Sequence, residues 1–148
     1  MTAMRDYTEE FTRWELAASD VERLDPLWRM SAYRLGRFLG DRAWADADVI
    51  RRRPLGYSVA DQLVRAAYSI PANLAEGYRR SSGRDRVRLF EYALGSTRES
   101  IVWYSAGAHV LPPALVESRL ATLVSVRSLL LAAIPRERRR TIDAANRH

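Results

Sequence analysis

Helical periodicity is the feature of this sequence that most limits its fold. Between Gly83 and Pro112, apolar or seam-compatible residues recur at intervals of three and four, which is the spacing of a buried seam in a helix bundle. The seam positions are Val87, Phe90, Leu94, Thr97, Ile101, Tyr104 and Ala108. No stretch alternates apolar and polar residues clearly enough to predict a strand. The sequence therefore predicts an all-α protein.

Proline and capping residues divide the first part of this pattern. Asp25 as N-cap with Pro26 at the first helical position predicts a helix that runs to about Ala45. A polar loop is expected over residues 46–57. Ser58, with Asp61 three residues on, is then expected to cap a second helix that ends near Arg80.

The later helices have equally clear boundaries. Ser82 and Asp85 repeat the capping pattern at the start of the third helix. Pro112-Pro113 ends that helix region and opens a fourth, which Pro135 is expected to end. The expected apolar face of this fourth helix is Val116, Leu120, Leu123, Leu130 and Ile134. Four long helices with short connections favour an up-down antiparallel four-helix bundle.

Three segments follow from these boundaries. Residues 1–24 form an N-terminal helical extension, residues 25–134 the four-helix bundle, and residues 135–148 a basic tail that should be solvated and frayed. Phe11, Trp14 and Leu16 give the extension an apolar side. That side either folds back on the bundle or docks in a groove of a partner protein.

The residue inventory argues against an enzyme. The 148 residues contain no cysteine and two histidines, His109 and His148. A disulfide framework and thiolate metal sites are thereby excluded. There is also no glycine-rich phosphate loop and no carboxylate–histidine spacing typical of a metal site. We predict no catalytic residue, no metal and no cofactor.

Nothing in the sequence predicts a signal peptide or a membrane span. The N-terminus is charged from Arg5 onward, and the longest apolar stretch, Leu120–Ile134, has 15 residues and contains Arg127. A membrane-spanning helix needs roughly 20 apolar residues. We expect a cytoplasmic protein without membrane association.

The charge balance is basic. The net charge is +6, and all 24 basic residues are arginine. The absence of lysine has two interpretations, selection for phosphate binding by the guanidinium group or the codon usage of a GC-rich genome. The positive excess is independent of that choice and favours a polyanionic partner.

Two arginine clusters would lie at the same end of an antiparallel bundle, one at the turn between the second and third helices and one after the fourth. They contain Arg79, Arg80, Arg84, Arg86 and Arg88, and Arg136, Arg138, Arg139 and Arg140. Such a surface would bind RNA or DNA through phosphates, with little sequence specificity and strong salt dependence. The alternative is that they are ordinary solvated charges.

A polar stripe runs along the second helix beside its apolar face, which contains Leu63, Ala66, Ala67, Ile70 and Leu74. Its members, at intervals of three and four, are Gln62, Arg65, Ser69, Asn73, Glu76 and Arg80. The stripe is either a solvated face or a helix or subunit contact. Ser, Asn and Gln are poor choices for a solvated helix face, which favours the contact.

The third helix carries a matching polar insertion. Gly95 is expected to allow a neighbouring helix to approach closely. Ser96 and Glu99 are expected to contact Arg65 or Asn73 across the bundle. Pro71, inside the second helix, is expected to kink it.

Two motifs in these helices resemble a known family. "QLVRAAYSIPANLAEGYRR" followed by "LFEYALGSTRES" is similar to the four-helix-bundle family of 23S rRNA intervening-sequence proteins, which includes the accessory variability determinant of diversity-generating retroelements. The matching residues are Gln62, Arg65, Ala66, Ser69, Ile70, Asn73, Ala75, Glu76 and Gly77, then Ala93, Gly95, Ser96 and Glu99. Leu74 and the order Leu89-Phe90 depart conservatively from the usual pattern.

The resemblance implies a non-catalytic bundle that assembles into a ring, typically a homopentamer. For the retroelement branch it implies a basic ring that binds nucleic acid and a reverse transcriptase. The alternatives are a structural protein adaptor, or an rRNA intervening-sequence protein without a direct nucleic-acid role.

Overall fold

The computed structural model describes the backbone of residues 2–148 and the side chains of residues 8–148. Six α-helices form in this part of the chain: α1 (Thr2–Leu16), α2 (Asp20–Arg23), α3 (Ser31–Ile50), α4 (Tyr57–Tyr78), α5 (Gly83–Gly107) and α6 (Pro113–Ala145). Short 3-10 turns, Pro26–Arg29 and Pro54–Gly56, precede α3 and α4. No strand occurs among the described residues, so the all-α class is confirmed, with six α-helices where four and an extension were expected.

The four longest helices, α3 to α6, pack side by side in chain order. Each is joined to the next by a short connection, and each pair also meets far from that connection, so consecutive helices are antiparallel. The distant contacts join Gly36 with Pro71, Ser69 with Ser96, and Arg86 with Glu137. Helix α1 lies against α3 and α6.

The core follows the predicted apolar positions closely in α4 and less closely elsewhere. All five expected core residues of α4 are buried: Leu63, Ala66, Ala67, Ile70 and Leu74. In α6, burial follows the series Val116, Arg119, Leu123, Val126, Leu130 and Ile134, while Leu120, expected in the core, is half-buried. An arginine therefore occupies one position of the buried seam.

Both predicted boundaries of α3 and the predicted N-cap of α4 are wrong. Asp25 does cap a helix, accepting a hydrogen bond from the Leu27 amide at 2.9 Å, but this is the 3-10 turn, and α3 begins at Ser31. At its other end α3 runs on to Ile50 through the region expected to be a loop, because Asp46, Ala47 and Ile50 continue its buried face.

Helix α4 begins at Tyr57, and its N-cap is Gly56 without a side-chain cap. Ser58 lies inside the helix, and Asp61 forms an ion pair with Arg51 instead of completing a capping box. By contrast, Ser82 caps α5 as predicted, accepting a hydrogen bond from the Asp85 amide at 3.4 Å.

The expectation that Pro135 ends the last helix is wrong. Pro135 lies inside α6, which continues to Ala145, so residues 135–145 are helical and not a frayed tail. Contacts with α5 explain this extension, since Glu137 pairs with Arg86 at 3.3 Å and Thr141 packs against Gly83. Helix α6 also begins at Pro113, as predicted.

Helices α3 and α4 approach closely where α3 carries glycine. A methyl group at Gly40 would lie 2.5 Å from the ring of Tyr68, and one at Gly36 would lie 2.9 Å from Ile70 and 3.3 Å from Pro71. Pro71 is buried in this contact, inside a continuous helix. The absence of a side chain at Gly36 thus makes room for Pro71, and its absence at Gly40 makes room for Tyr68.

The N-terminal extension folds back on the bundle. Phe11 stacks on Trp14 and meets the ring of Phe38 edge-on at 5.5 Å, and Trp14 stacks on Trp28 at 5.7 Å. These two residues are therefore not available to a partner's groove, whereas Leu16 is exposed.

Helix α6 is long and apolar enough to cross a membrane by length and composition. In this fold it packs through Val116, Leu123, Val126, Leu130 and Ile134 against the other helices. A core helix of a soluble protein can meet the same criterion.

Candidate functional site

The two predicted arginine clusters, residues 79–88 and 136–140, lie at one end of the molecule, which we call the arginine end. The start of α5 meets the C-terminal part of α6 there. Arg86 lies 3.3 Å from Glu137, Arg138 pairs with Glu91, and Thr141 packs against Gly83. Because residues 136–140 are helical, their arginines are held on a defined surface.

Ion pairs with nearby carboxylates neutralise part of this surface. Five of the nine predicted arginines pair with a carboxylate: Arg80 with Glu76, Arg86 and Arg140 with Glu137, Arg88 with Asp85, and Arg138 with Glu91. The other four, Arg79, Arg84, Arg136 and Arg139, are exposed and form no ion pair within residues 8–148. These four are the charges most available to an anion.

Arg86 differs from the others because it supports the fold. Its guanidinium donates hydrogen bonds to the carbonyl oxygens of Arg80 at 2.7 Å and Ser81 at 3.2 Å, beyond the end of α4. It also reaches Glu137 across the helix boundary. Arg86 therefore ties together α4, α5 and α6, and it is half-buried.

The polar stripe on α4 forms a small hydrogen-bonded group with α5. The Asn73 side-chain amide donates to the Ser69 carbonyl at 2.8 Å and to the Ser69 hydroxyl at 3.0 Å, and the Ser96 hydroxyl lies 2.9 Å from that same hydroxyl. Ser96 was expected to contact Arg65 or Asn73, but it contacts Ser69 instead. The three side chains link the two helices within one chain.

The remaining stripe residues point away from this group or bond along their own helix. Glu76 pairs with Arg80 one turn on, and Glu99 accepts a hydrogen bond from the Trp103 indole at 3.1 Å and does not reach Arg65 or Asn73. Gln62 is half-buried and Arg65 is exposed.

Gly95 does not bring two helices of this chain together, contrary to the expectation. No atom lies within 4 Å of a methyl group placed on it, and it is exposed in the middle of α5. A glycine in a helix interior destabilises it by about 1 kcal/mol relative to alanine. The fold of the single chain gives no reason for it.

A buried ion pair that the sequence interpretation missed lies at the centre of a cluster that connects four helices. Arg119 of α6 and Asp46 of α3 are 5% and 4% exposed, and the Arg119 Nε atom donates to Asp46 Oδ2 at 2.8 Å. The hydroxyl of fully buried Tyr104, on α5, donates to the same oxygen at 2.6 Å. Glu10 of α1 accepts from Arg119 at 2.9 Å.

The pKa values of this group follow from its burial. Burial raises the pKa of Tyr104 well above 10, and the negative charge of Asp46 raises it further. Burial disfavours the charged form of Arg119, but the hydrogen bonds and charge of Asp46 outweigh it and raise the pKa of Arg119. Both groups keep their ordinary protonation states, so this cluster is structural rather than an acid–base pair.

A second cluster, centred on Asp41, fixes α1 and α4 to α3. Its carboxylate accepts hydrogen bonds from the Trp14 indole and the Tyr68 hydroxyl, both at 2.8 Å, and from Arg37 at 3.1 Å. Partial burial raises the pKa of Asp41, but these three donors reverse the effect and lower it below its usual value. Burial, together with the hydrogen bond to Asp41, raises the pKa of Tyr68 to about 12.

Sequence spacing could have revealed part of the first cluster. Arg119 lies three residues after Val116 and four before Leu123, exactly where a seam position belongs by the spacing of three and four. Asp46 likewise follows Ala43 by three. Both residues are charged, so their seam spacing did not identify them as core positions.

The described part of the chain contains no group of three His, Asp or Glu side chains that could hold a metal ion.

One surface groove combines charged and aromatic side chains. It lies between α3 and α4, has a volume of about 400 Å³, and is lined by Trp44, Ala47, Asp48, Arg51, Asp61, Val64 and Arg65.

Residues 52–110 match the family model of the 23S rRNA-intervening sequence protein. This segment contains α4, α5, the polar stripe and the first arginine cluster. The resemblance drawn from the two sequence motifs is thereby confirmed over these residues.

A solved structure shares the fold. It is a crystal structure of a protein of unknown function from the S23 ribosomal protein family of Bacteroides thetaiotaomicron, with a TM-score of 0.65 and 18% identity, and the alignment covers 70% of this chain and 97% of that one. At this identity the likeness concerns the fold alone. No curated protein matches the sequence.

Proposed function

We propose that this chain is a non-catalytic, cytoplasmic accessory scaffold that binds RNA or DNA through phosphates at its arginine end. The observation that carries this proposal is the meeting of two arginine clusters, distant in sequence, on one surface where Arg79, Arg84, Arg136 and Arg139 have no carboxylate partner within residues 8–148. Unpaired guanidinium groups on one surface are suited to phosphate oxygens.

The assembly that we propose is a homopentameric ring of four-helix bundles, as the family resemblance implies. Gly95 supports a contact between subunits, because its helix loses stability in the single chain without gaining a close contact there. In a ring, one heterologous interface is used by every subunit, so each arginine end would be repeated around the axis. A reverse transcriptase of a diversity-generating retroelement is the protein partner that the resemblance suggests.

The test replaces the four unpaired arginines, Arg79, Arg84, Arg136 and Arg139, with serine. Arg86 is kept because it supports the fold. We expect the variant to lose most of its affinity for a mixed RNA and DNA pool at low salt, and the salt dependence of binding to become much weaker. Native mass spectrometry of nuclease-treated protein, with and without the pool, reports binding and oligomeric state together.

The matched control changes the net charge equally at other sites, by replacing Arg13, Arg29, Arg98 and Arg127 with serine. Within residues 8–148 these four arginines also form no ion pair. The control should keep most of the affinity. Equal losses in both variants would show an effect of net charge alone, and an unchanged affinity in the first variant would rule out the arginine end. If the wild-type protein binds no nucleic acid, the scaffold proposal fails and the protein-adaptor function is the remaining alternative.

A further inference from the structure

Trp44 is exposed to an unusual degree for its size. Its relative exposure is 67%, whereas Trp14, Trp28 and Trp103 are all half-buried. It lies on α3 at the edge of the groove between α3 and α4, with the small side chain of Ala47 one turn on. One flat aromatic side chain thus stands beside an open groove.

Two arginines line this groove, and two more follow one of them in the chain. Arg51 and Arg65 line it, and Arg51 also lies over the ring of Tyr57, with its guanidinium carbon 6.0 Å from the ring centre. Arg52 and Arg53 follow at the turn before α4 and form no ion pair within residues 8–148. This basic surface is at the opposite end of α4 from the arginine end.

Carboxylates inside the groove determine which part of a ligand it suits. Asp48 and Asp61 both line it, and Asp61 already neutralises Arg51. Their charge disfavours a phosphate within the groove, but a carboxylate accepts hydrogen bonds from the amino groups of a base. The groove therefore suits a base, and Arg65, which lines it, suits an adjoining phosphate. Arg52 and Arg53, at the turn before α4, are further exposed charges for the phosphates of a longer strand.

We infer that this groove binds a single-stranded segment of nucleic acid, with one base stacked on Trp44. Exposed aromatic rings beside a basic surface are how proteins hold single strands without reading their sequence, because every base has a face that can stack. Bases paired within a duplex are stacked on each other and cannot reach the indole. The inference rests on the proposed function and narrows its ligand to a single strand at this second surface.

The experiment measures binding of three fluorescein-labelled probes of about ten nucleotides, a length within single-strand site sizes. They are oligo(dC), the same chain length without bases, and a duplex. We expect Trp44→Ala to weaken oligo(dC) binding about tenfold or more and to leave the abasic probe and the duplex unchanged. Trp44→Phe should keep most of the affinity.

Fluorescence gives a second measurement on the same variants. Because Trp44 is the most exposed tryptophan among the described residues, oligo(dC) should quench the emission of the wild-type protein. Trp44→Phe should bind the probe but lose most of this quenching. Val124→Ala, an exposed apolar change on α6, is the control and should behave like the wild type in both measurements.

The possible outcomes separate the two proposals. If the wild type binds none of the three probes at low salt, the proposed function and the groove fail together. If it binds all three and Trp44→Ala binds oligo(dC) equally well, only the groove is overturned. A changed oligomer mass for Trp44→Ala would also overturn it, because the indole would then be a subunit contact.

Discussion

Arginine side chains are buried and paired in one region of this molecule and exposed and unpaired in another. In the buried cluster of Arg119, Asp46, Tyr104 and Glu10, the Arg119 side chain is almost inaccessible to solvent. Its charge is compensated by the carboxylates of Asp46 and Glu10. At the arginine end, Arg136 and Arg139 are exposed and form no ion pair within residues 8–148. The residue type is the same in both places. Burial and the nearby carboxylates decide whether the charge holds helices together or remains available to a ligand.

The energies of the two regions differ for the same reason. Breaking a buried pair leaves an uncompensated charge in a poorly solvated site, whereas exposed pairs gain little over hydration by water. The Asp41 cluster is intermediate, since its groups are partly buried and its carboxylate has three donors. Substitutions in the three regions should therefore affect stability in this order.

Arg119→Leu should have the largest effect on stability. It leaves the Asp46 carboxylate buried with only the Tyr104 hydroxyl as a donor, and we expect a loss of about 3–5 kcal/mol in the free energy of unfolding. Urea denaturation measures it. Arg138→Leu, which removes one partner of the exposed pair with Glu91, is the control and should cost at most about 1 kcal/mol. Similar losses in the two variants would contradict the comparison.

Asp41→Asn should have a smaller effect that depends on pH. The folded-state pKa of Asp41 lies below its unfolded value of about 3.9. Its ionised form therefore contributes stability that is fully present above the unfolded pKa and is lost as the pH falls through the folded pKa. At pH 7 we expect Asp41→Asn to lose about 1–2 kcal/mol.

Urea denaturation of the wild type and Asp41→Asn, from neutral pH down to the acid limit of folding, measures this contribution. The gap in the free energy of unfolding should be constant near neutral pH and should close below about pH 4. Tyr68→Phe, which removes one donor to Asp41 and keeps the carboxylate, should retain the pH dependence in weaker form. A gap of the same size at every pH would mean that packing, and not charge, holds this cluster.

The sequence was sufficient to predict the all-α class and the core of α4, because periodicity and burial agree at positions such as Leu63 and Ile70. It also predicted that residues 79–88 and 136–140 share one end. It failed where long-range contacts override local signals. Pro135 is a strong local stop, yet α6 continues past it because Glu137 and Thr141 are held against α5.

The errors at polar residues have one cause. The polar sequence after Ala45 predicts a loop at Asp46, whereas the fold buries this carboxylate in α3, and only its partner Arg119, 73 positions away, makes that burial possible. At the arginine end, three of the five ion pairs join residues three or four positions apart, so their spacing is visible in the sequence. The other two, Arg86 with Glu137 and Arg138 with Glu91, join residues that only the folded chain brings close.

Glu91→Gln should have the smallest effect on stability and a measurable one on binding. It removes the exposed carboxylate that pairs with Arg138, so the free energy of unfolding should change by less than about 1 kcal/mol. If the arginine end binds phosphates, the freed guanidinium adds one contact, and the slope of log affinity against log salt concentration should steepen by about one. Titration of a single-stranded oligonucleotide at several salt concentrations measures the slope.

Glu117→Gln provides the control for this change. Glu117 is exposed near the start of α6, at the other end of that helix, and forms no ion pair within residues 8–148, so the substitution alters the net charge equally without freeing an arginine. Its salt slope should match that of the wild type. A steeper slope in both variants would mean that the oligonucleotide senses only overall charge, and an unchanged slope in both would remove Arg138 from the binding surface. Only a difference between them assigns the phosphate contact to the arginine end.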